Sequence, residues 1–310
     1  MADGVEIFYP GFVKKALTFS IDDGNIKYDK MMLDIVRPAG ILGTFNLCAP
    51  KPELTREEYI DMYSGYEISN HTLLHTYVFE DGVEYNFKDE VYTQGSAEPG
   101  YLYRHKDNPR LYYFCRGTNR WRLITDADTY IEGIDEGKAK LEQIFGEGRI
   151  RGFVWPLFAQ NNQKVRSYIA NAGYYGVRKS STVGSSTGFA LPADFNEWSC
   201  NARHSDLLPL MQEYMDYPDG GELKFFAFGV HSADFERDSK WDDLREFVER
   251  YGGRSGELWY ATVGDIYDYV TAVRKLRITD RSVQNPSDIT LYLKIDGRCI
   301  ELSQNGEIEI

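Results

Sequence analysis

No run of eighteen or so consecutive apolar residues occurs in this 310-residue chain, which excludes a transmembrane helix by length alone. The opening residues, Met1-Ala2-Asp3-Gly4-Val5-Glu6, have neither the basic nor the apolar region of a secretion signal. The expectation is a soluble, cytoplasmic chain, or a secreted one whose leader has been removed. Cysteine is scarce and scattered: Cys48, Cys115, Cys200 and Cys299 form no Cys-x-x-Cys pair, so neither a zinc knuckle nor a redox motif can be built from them. Positive charge is also short, with 35 Lys and Arg against 48 Asp and Glu and a formal net charge of −13. Nucleic acid and anionic membranes offer no counterion release to such a surface, and a neutral or cationic substrate is expected instead. What the chain does have is 42% hydrophobic and 15% aromatic residues, enough for one large domain with a full core.

The most informative residues are His71-Thr72-Leu73-Leu74-His75 and the acidic pair Asp22-Asp23 before Gly24, at the end of an apolar run. Two imidazoles four residues apart share one face of a helical turn, so both can reach one cation. A carboxylate from the acidic pair would complete a three-ligand site with a position open for water. Each part has a plainer reading when taken singly. His-x-x-x-His arises often by chance, Asp-Gly commonly closes a strand, and a lone His231 or His204 is ordinarily a hydrogen-bonded structural group. Asn70-His71-Thr72 fits a glycosylation acceptor, but a glycan there would cover the metal site, and chance explains it better.

Strand and helix signals alternate along the chain. Ala16–Ile21, Gly43–Leu47, Tyr66–Ser69, Gly152–Trp155, Tyr175–Val177, Phe225–Phe228 and Leu258–Ala261 read as strands. Helices are expected near Lys30–Val36, after the capping box Thr55-Arg56-Glu57-Glu58, over Asp128–Phe145, Gln163–Ala172 and Trp241–Tyr251, and from Thr262 to about Lys275. About seven such units predict an α/β fold with a distorted parallel (β/α) barrel of seven to eight units. Asp22, Asp23, His71, His75, Pro156, Arg178 and His231 each follow the C-terminal end of a predicted strand, the face where barrel active sites are built. Independent scatter would not place them so.

Two segments stand outside the repeat. Residues 80–125 are rich in tyrosine, with Tyr85, Tyr92, Tyr101, Tyr103, Tyr112, Tyr113 and Trp121, and read either as a lid or sugar-stacking wall, or as a hairpin that buries its own rings. Residues 279–310 alternate around Asp296-Gly297 as a hairpin does, and are expected to form a small β appendage to a barrel spanning 1–278.

Taken together, these motifs resemble the polysaccharide deacetylase family, also called the NodB homology domain or carbohydrate esterase family 4. Its Thr-Phe-Asp-Asp-Gly motif is matched with a slight shift by Thr18-Phe19-Ser20-Ile21-Asp22-Asp23-Gly24, its His-Ser/Thr-x-x-His motif by His71–His75, and its apolar strand ending in histidine by Phe228-Gly229-Val230-His231-Ser232. The resemblance implies a metal-dependent hydrolase that removes N-acetyl, or alternatively O-acetyl, groups from a carbohydrate. Asp23, His71 and His75 would hold one divalent metal, zinc first, with cobalt or manganese as alternatives. Asp22 would act as base, His231 as the acid that protonates the leaving amine, and the backbone N–H of Leu157 as oxyanion donor. Trp155, Pro156, Trp198 and His204 would line the substrate site.

One departure matters. Phe153-Val154-Trp155-Pro156-Leu157-Phe158 puts Val154 where the family motif carries arginine, so Arg178, one strand later, is expected to supply the guanidinium that orients Asp22. Competing readings are a C–N hydrolase of the same fold on a small amide or cyclic ureide, and a glycan-binding module that has lost catalysis. Retention of Asp22 beside three ligands argues against the last, because binding alone needs no base.

Overall fold

Strand β1 (Lys15–Asp22) has seven of its eight residues buried, as a parallel strand covered on both faces must. In the computed structural model, which describes residues 4–115, 120–157 and 159–310, it belongs to an eight-stranded sheet. The others are β2 (Gly43–Leu47), β3 (Glu67–Asn70), β4 (Gly152–Val154), β5 (Tyr175–Thr182), β6 (Trp198–Cys200), β7 (Lys224–His231) and β8 (Leu258–Tyr260). Their order is β6-β5-β4-β3-β2-β1-β7, with β8 also on β1. Strand β7 pairs with β1 in parallel over its whole length, from Lys224 opposite Lys15 to His231 opposite Asp22. On the other side β8 covers the first half of β1 and β2 the second half. Past β6 the sheet meets its far end: Ala202 bridges to Phe228 in parallel, and the Asn201 N–H donates to the Ala227 carbonyl at 2.8 Å. The result is the nearly closed, parallel-stranded barrel that the alternation of elements predicts.

Residues gather into two compact units, and the division passes through β2, β3 and β5. The first holds the chain up to Asn46, Asp61–Ile68, and everything from Ser181 on. Its helix Ile26–Val36 begins on the Asn25 side chain, and its helix Val263–Arg274 begins on a complete capping box, Thr262 with Asp265. Such caps contribute roughly 1 kcal/mol each by satisfying the first free amides. Gly43 is required where β2 lies on β1, because a Cβ there would sit 2.5 Å from the Phe19 carbonyl oxygen. The predicted tail hairpin is present as Leu291–Ile295 and Arg298–Leu302, turned by Asp296 and Gly297, both in left-handed conformation. It is not built from the tail alone. Val5–Phe8 adds an antiparallel third strand on Leu291–Ile295, which supplies the extra pairing that a lone two-stranded hairpin lacks in water.

The second unit comprises Leu47–Ile60 and Ser69–Ser180. The capping box read in the sequence is formed: Thr55 N–H donates to Glu58 at 2.7 Å, and Glu58 N–H donates to the Thr55 hydroxyl at 3.3 Å. Helix Ala127–Phe145 starts on Asp126. The tyrosine-rich insertion folds into five short strands, in the order Tyr77–Val78, Arg122–Thr125, Leu111–Phe114, Tyr101–Arg104 and Asn86–Val91. Leu102 and Tyr103 are buried within it.

Candidate active site

Parallel register sets the first group. Asp22 ends β1 directly opposite His231 of β7 on one side and Asn46 of β2 on the other. The Asn46 amide donates to Asp22 Oδ1 at 2.7 Å and to the Ser20 hydroxyl at 2.9 Å. It therefore holds the buried Asp22 carboxylate in one orientation. Asp23 follows in left-handed conformation, with φ 77°, and its carboxylate lies 3.7 Å from His231 Nε2.

The half-exposed His231 ring turns its other nitrogen to Asp234, with Nδ1 3.1 Å from Oδ2. Burial, the largest single influence on His231, pushes its pKa down. The hydrogen bond with Asp234 and the charges of Asp22, Asp23 and Asp234 outweigh burial and raise it to about 9. This surrounding of carboxylates favours the imidazolium, which has a proton to give.

His71 and His75 come from the loop after β3. No helical turn brings them together, in contrast to the expectation from their spacing. Thr72 (φ 63°) and His75 (φ 46°) are left-handed, and the loop is pinned by local bonds: Thr72 N–H to Asn70 Oδ1 at 3.0 Å, His75 N–H to the Thr72 hydroxyl at 3.1 Å, and Leu73 N–H to the Gly133 carbonyl at 2.9 Å. A Cβ on Gly137 would lie 2.9 Å from Leu73 N, so helix Ala127–Phe145 presents glycine where the loop lies against it. The Asn70 amide is committed to the Ile134 carbonyl and the Tyr174 hydroxyl, both at 2.9 Å, which rules out a glycan there.

The two imidazole rings are 5.0 Å apart. His71 Nδ1 is 3.0 Å from the Val154 carbonyl oxygen. A carbonyl can only accept, so Nδ1 carries the proton and Nε2 keeps its lone pair, the tautomer a metal ligand requires. Among the described residues, Asp23, His71 and His75 are a group whose ligand atoms all lie within 4.8 Å of one another. One carboxylate and two neutral imidazoles form a donor set that suits zinc and its borderline neighbours.

Nine non-glycine residues are left-handed among those described, and Asp23, Thr72, His75 and Leu157 (φ 48°) are four of them. Each costs on the order of 1–2 kcal/mol for an L-residue. Such strain persists where the surrounding structure over-determines it, commonly at functional sites.

Arg178 is buried and pairs in register with Val154 across β4 and β5. Its guanidinium thus comes from the strand adjoining the one that carries valine. Pro156 and Leu157 follow β4.

The aromatic lining residues require correction. Trp155 packs edge-on against Phe153 in a buried cluster, and Trp198 packs with Phe195 and Phe225 in another. Trp155, just past β4, and Trp198, first in β6, are both buried in these clusters, so neither offers a face to a sugar. His204 stands beside the partner of His231: its Nε2 bonds Asp238 at 2.6 Å, and its Nδ1 lies 3.7 Å from Asp234. Two polar partners escaped the sequence reading, Asn46 and Asp234. Asn46 stands between Phe45 and Leu47 in a fully buried strand, and Asp234 stands three residues after His231. Those were the available signals.

Residues 11–177 match the sequence model of the family described as polysaccharide deacetylase. That is more than half of the chain, and the chain belongs to the polysaccharide deacetylase family. It is accordingly a hydrolase of the class that deacetylates carbohydrates. The matched stretch includes Asp22, Asp23, His71, His75 and Leu157, and stops before Arg178 and His231. Among solved structures, the chain is similar to a polysaccharide deacetylase from Bacillus cereus, at 12% identity and TM-score 0.42 over 80% of this chain and 91% of the other. It is also similar to the chitin deacetylase of Colletotrichum lindemuthianum, at 11% identity and TM-score 0.44 over 84% and 88%. A family 4 carbohydrate esterase from Streptomyces lividans is 12% identical, with TM-score 0.42 over 78% and 90%. No curated protein sequence matches the chain. No helix among the described residues is long and apolar enough to cross a membrane.

Proposed function

We propose that this chain removes N-acetyl groups from an acetylated carbohydrate, using one divalent metal, zinc first, held by Asp23, His71 and His75. The observation that carries this reading is the locked tautomer of His71, whose Nδ1 faces the Val154 carbonyl at 3.0 Å and leaves Nε2 for a cation. When bound, the metal supplies Lewis acidity, lowering the pKa of a water toward about 7 and polarising the acetyl carbonyl. Asp22, steadied by Asn46, accepts the proton of the attacking water. The Leu157 N–H, in its left-handed turn, is the donor for the developing oxyanion. His231 gives its proton to the departing nitrogen. This last role favours amides over esters, because an amine leaves poorly unless protonated and the raised pKa keeps His231 charged at neutral pH. Arg178 acts through Asp22 as a positioning group.

The test is elemental analysis of purified protein together with acetate release from N-acetylated oligosaccharides, with and without chelator. About one metal per chain is expected, and His71→Ala or His75→Ala should lose it, since two remaining protein ligands compete poorly with water. Full metal content in either variant would place the metal elsewhere.

A further inference from the structure

The insertion sheet carries a feature that the proposed reaction leaves unused. A cleft of about 480 Å³ is lined by Tyr92, Gln94, Gly95, Arg120, Trp121 and Arg122. Sites that enclose small organic molecules span roughly 300–1,000 Å³. Its aromatic wall is already assembled: the Tyr92 ring lies 4.2 Å from Tyr113 and 5.2 Å from Trp121, and the buried Tyr103 meets Trp121 edge-on at 5.5 Å. The neighbouring arginines of the sheet are occupied, Arg104 by Asp89 and Arg110 by Glu132. Arg122 is exposed and has no ion pair among the described residues.

The cleft is also close to the chemistry. Arg122–Thr125 runs parallel to Tyr77–Val78, with Ile124 opposite Tyr77 and Thr125 opposite Val78. Tyr77 follows His75 by two residues in the chain, so the sheet that carries the cleft begins next to a proposed metal ligand.

We propose that this cleft binds a carboxylate-bearing pyranose, the neighbour of the sugar that loses its acetyl group. Its place beside the reacting sugar rests on the deacetylase reading; its ligand does not. A guanidinium meets a planar carboxylate with two parallel hydrogen bonds, Tyr92 and Trp121 offer apolar faces to the ring, and the Gln94 amide suits its hydroxyls. The chain's net charge of −13 predicts a neutral or cationic ligand. Exposed charges more than about 8 Å away are largely screened at physiological salt, however, so the local arginines decide what the cleft accepts.

Calorimetry with two probes tests the proposal: a hyaluronan tetrasaccharide, which alternates glucuronate with N-acetylglucosamine, and chitotetraose, which is acetylated but neutral. The full chain should bind the carboxylated probe about tenfold more tightly, as one charge-assisted contact allows. Arg122→Gln should level the two affinities, and Arg122→Glu should reverse them. Equal affinities in the unmodified protein, or a preference that survives both substitutions, would overturn the proposal. So would displacement of the tetrasaccharide by glucose 6-phosphate more readily than by glucuronate, which would mark a phosphate site. Binding is read without turnover. Absence of acetate release from both probes would therefore sink the deacetylase reading and leave the binding preference standing on its own.

Discussion

Strand β1 and the insertion strand Asn86–Val91 obey opposite rules. In β1 every residue after Lys15 is buried, whereas Asn86–Val91 is exposed at all but one position. The barrel strand is held by neighbours on both edges and both faces, so its register cannot slip without turning every side chain over. That is why Asp22, Asn46 and His231 can be set side by side by backbone pairing alone. The insertion is held chiefly by rings on rings, with Phe79, Tyr85, Phe87, Tyr112 and Phe114 in mutual contact. Its outer edge is blunted by Lys88, Asp89 and Glu90, which discourage pairing with another chain. In the proposed mechanism, Asp22 and His231 sit on the first kind of element, and the proposed binding cleft sits on the second.

The largest test of this contrast lies in the barrel. Asp22→Asn should lower kcat at least about a hundredfold with metal content unchanged, since a positioned base contributes roughly 10²–10⁴. Asp23→Asn should instead weaken metal binding. Kinetics combined with elemental analysis distinguishes the two, and exchanged outcomes would mean exchanged roles.

Much of the barrel was legible in the sequence because continuous apolar strands, capping boxes and glycine stops are local signals. Thr55 with Glu58 and Thr262 with Asp265 form the caps their spacing announces. The short strand Trp198–Cys200 and the helix Leu207–Asp216 were not legible: three residues carry no periodicity, and the helix begins without a side-chain cap. At the site, the residue types were readable and their partners were not. Asn46 and Asp234 act through register and through the turn after β7, which only the folded chain defines. Trp155 and Trp198 misled because an aromatic residue beside a motif suggests a sugar platform, while both rings are in fact packed into hydrophobic clusters.

A smaller effect is expected from the groups that steer Asp22. Asn46 already donates to it at 2.7 Å, so Asn46→Leu should lower kcat about tenfold, the loss of one hydrogen bond to a charged group. Arg178→Met should do the same if the guanidinium beside Val154 also reaches the carboxylate. If Arg178→Met retains full activity and metal while Asn46→Leu loses activity, the orienting role belongs to Asn46 alone.

Smaller again at neutral pH is the effect of Asp234→Asn. In the proposed mechanism the acid form of His231 is the working form, and its raised pKa of about 9 keeps that form populated through neutrality. Removing the Asp234 carboxylate removes both a hydrogen bond and a negative charge, so the pKa falls and activity should be lost at lower pH on the alkaline side. A pH–rate profile of kcat reads this directly, with a shift of about one unit or more expected from losing an adjacent opposite charge. An unmoved alkaline limb would mean that His231 is not the group titrating there.

The least effect on turnover is expected within the insertion, where the contrast can be broken most cleanly. Excising its tip is not the right experiment, because residues 94–108 include Tyr101–Arg104, a strand inside the sheet that carries the buried Leu102 and Tyr103. Point substitutions separate core from surface instead. Leu102→Ala opens a cavity at a fully buried position and should destabilise its surroundings by about 2–5 kcal/mol. Val91→Ser, at a side chain 50% exposed and outside that ring cluster, should change stability by less than about 1 kcal/mol. Hydrogen exchange locates the loss. In Leu102→Ala the amides of Leu111–Phe114 and Arg122–Thr125 should lose protection while those of β1 and β7 keep theirs, because Leu102 packs inside the insertion sheet, which can open locally without them. Hydrolysis of a small acetate reporter should then be nearly unchanged in both variants. If Leu102→Ala instead removes protection from β1 and β7 together with the insertion, the two regions unfold as one, and the division of chemistry from recognition is not a division of stability.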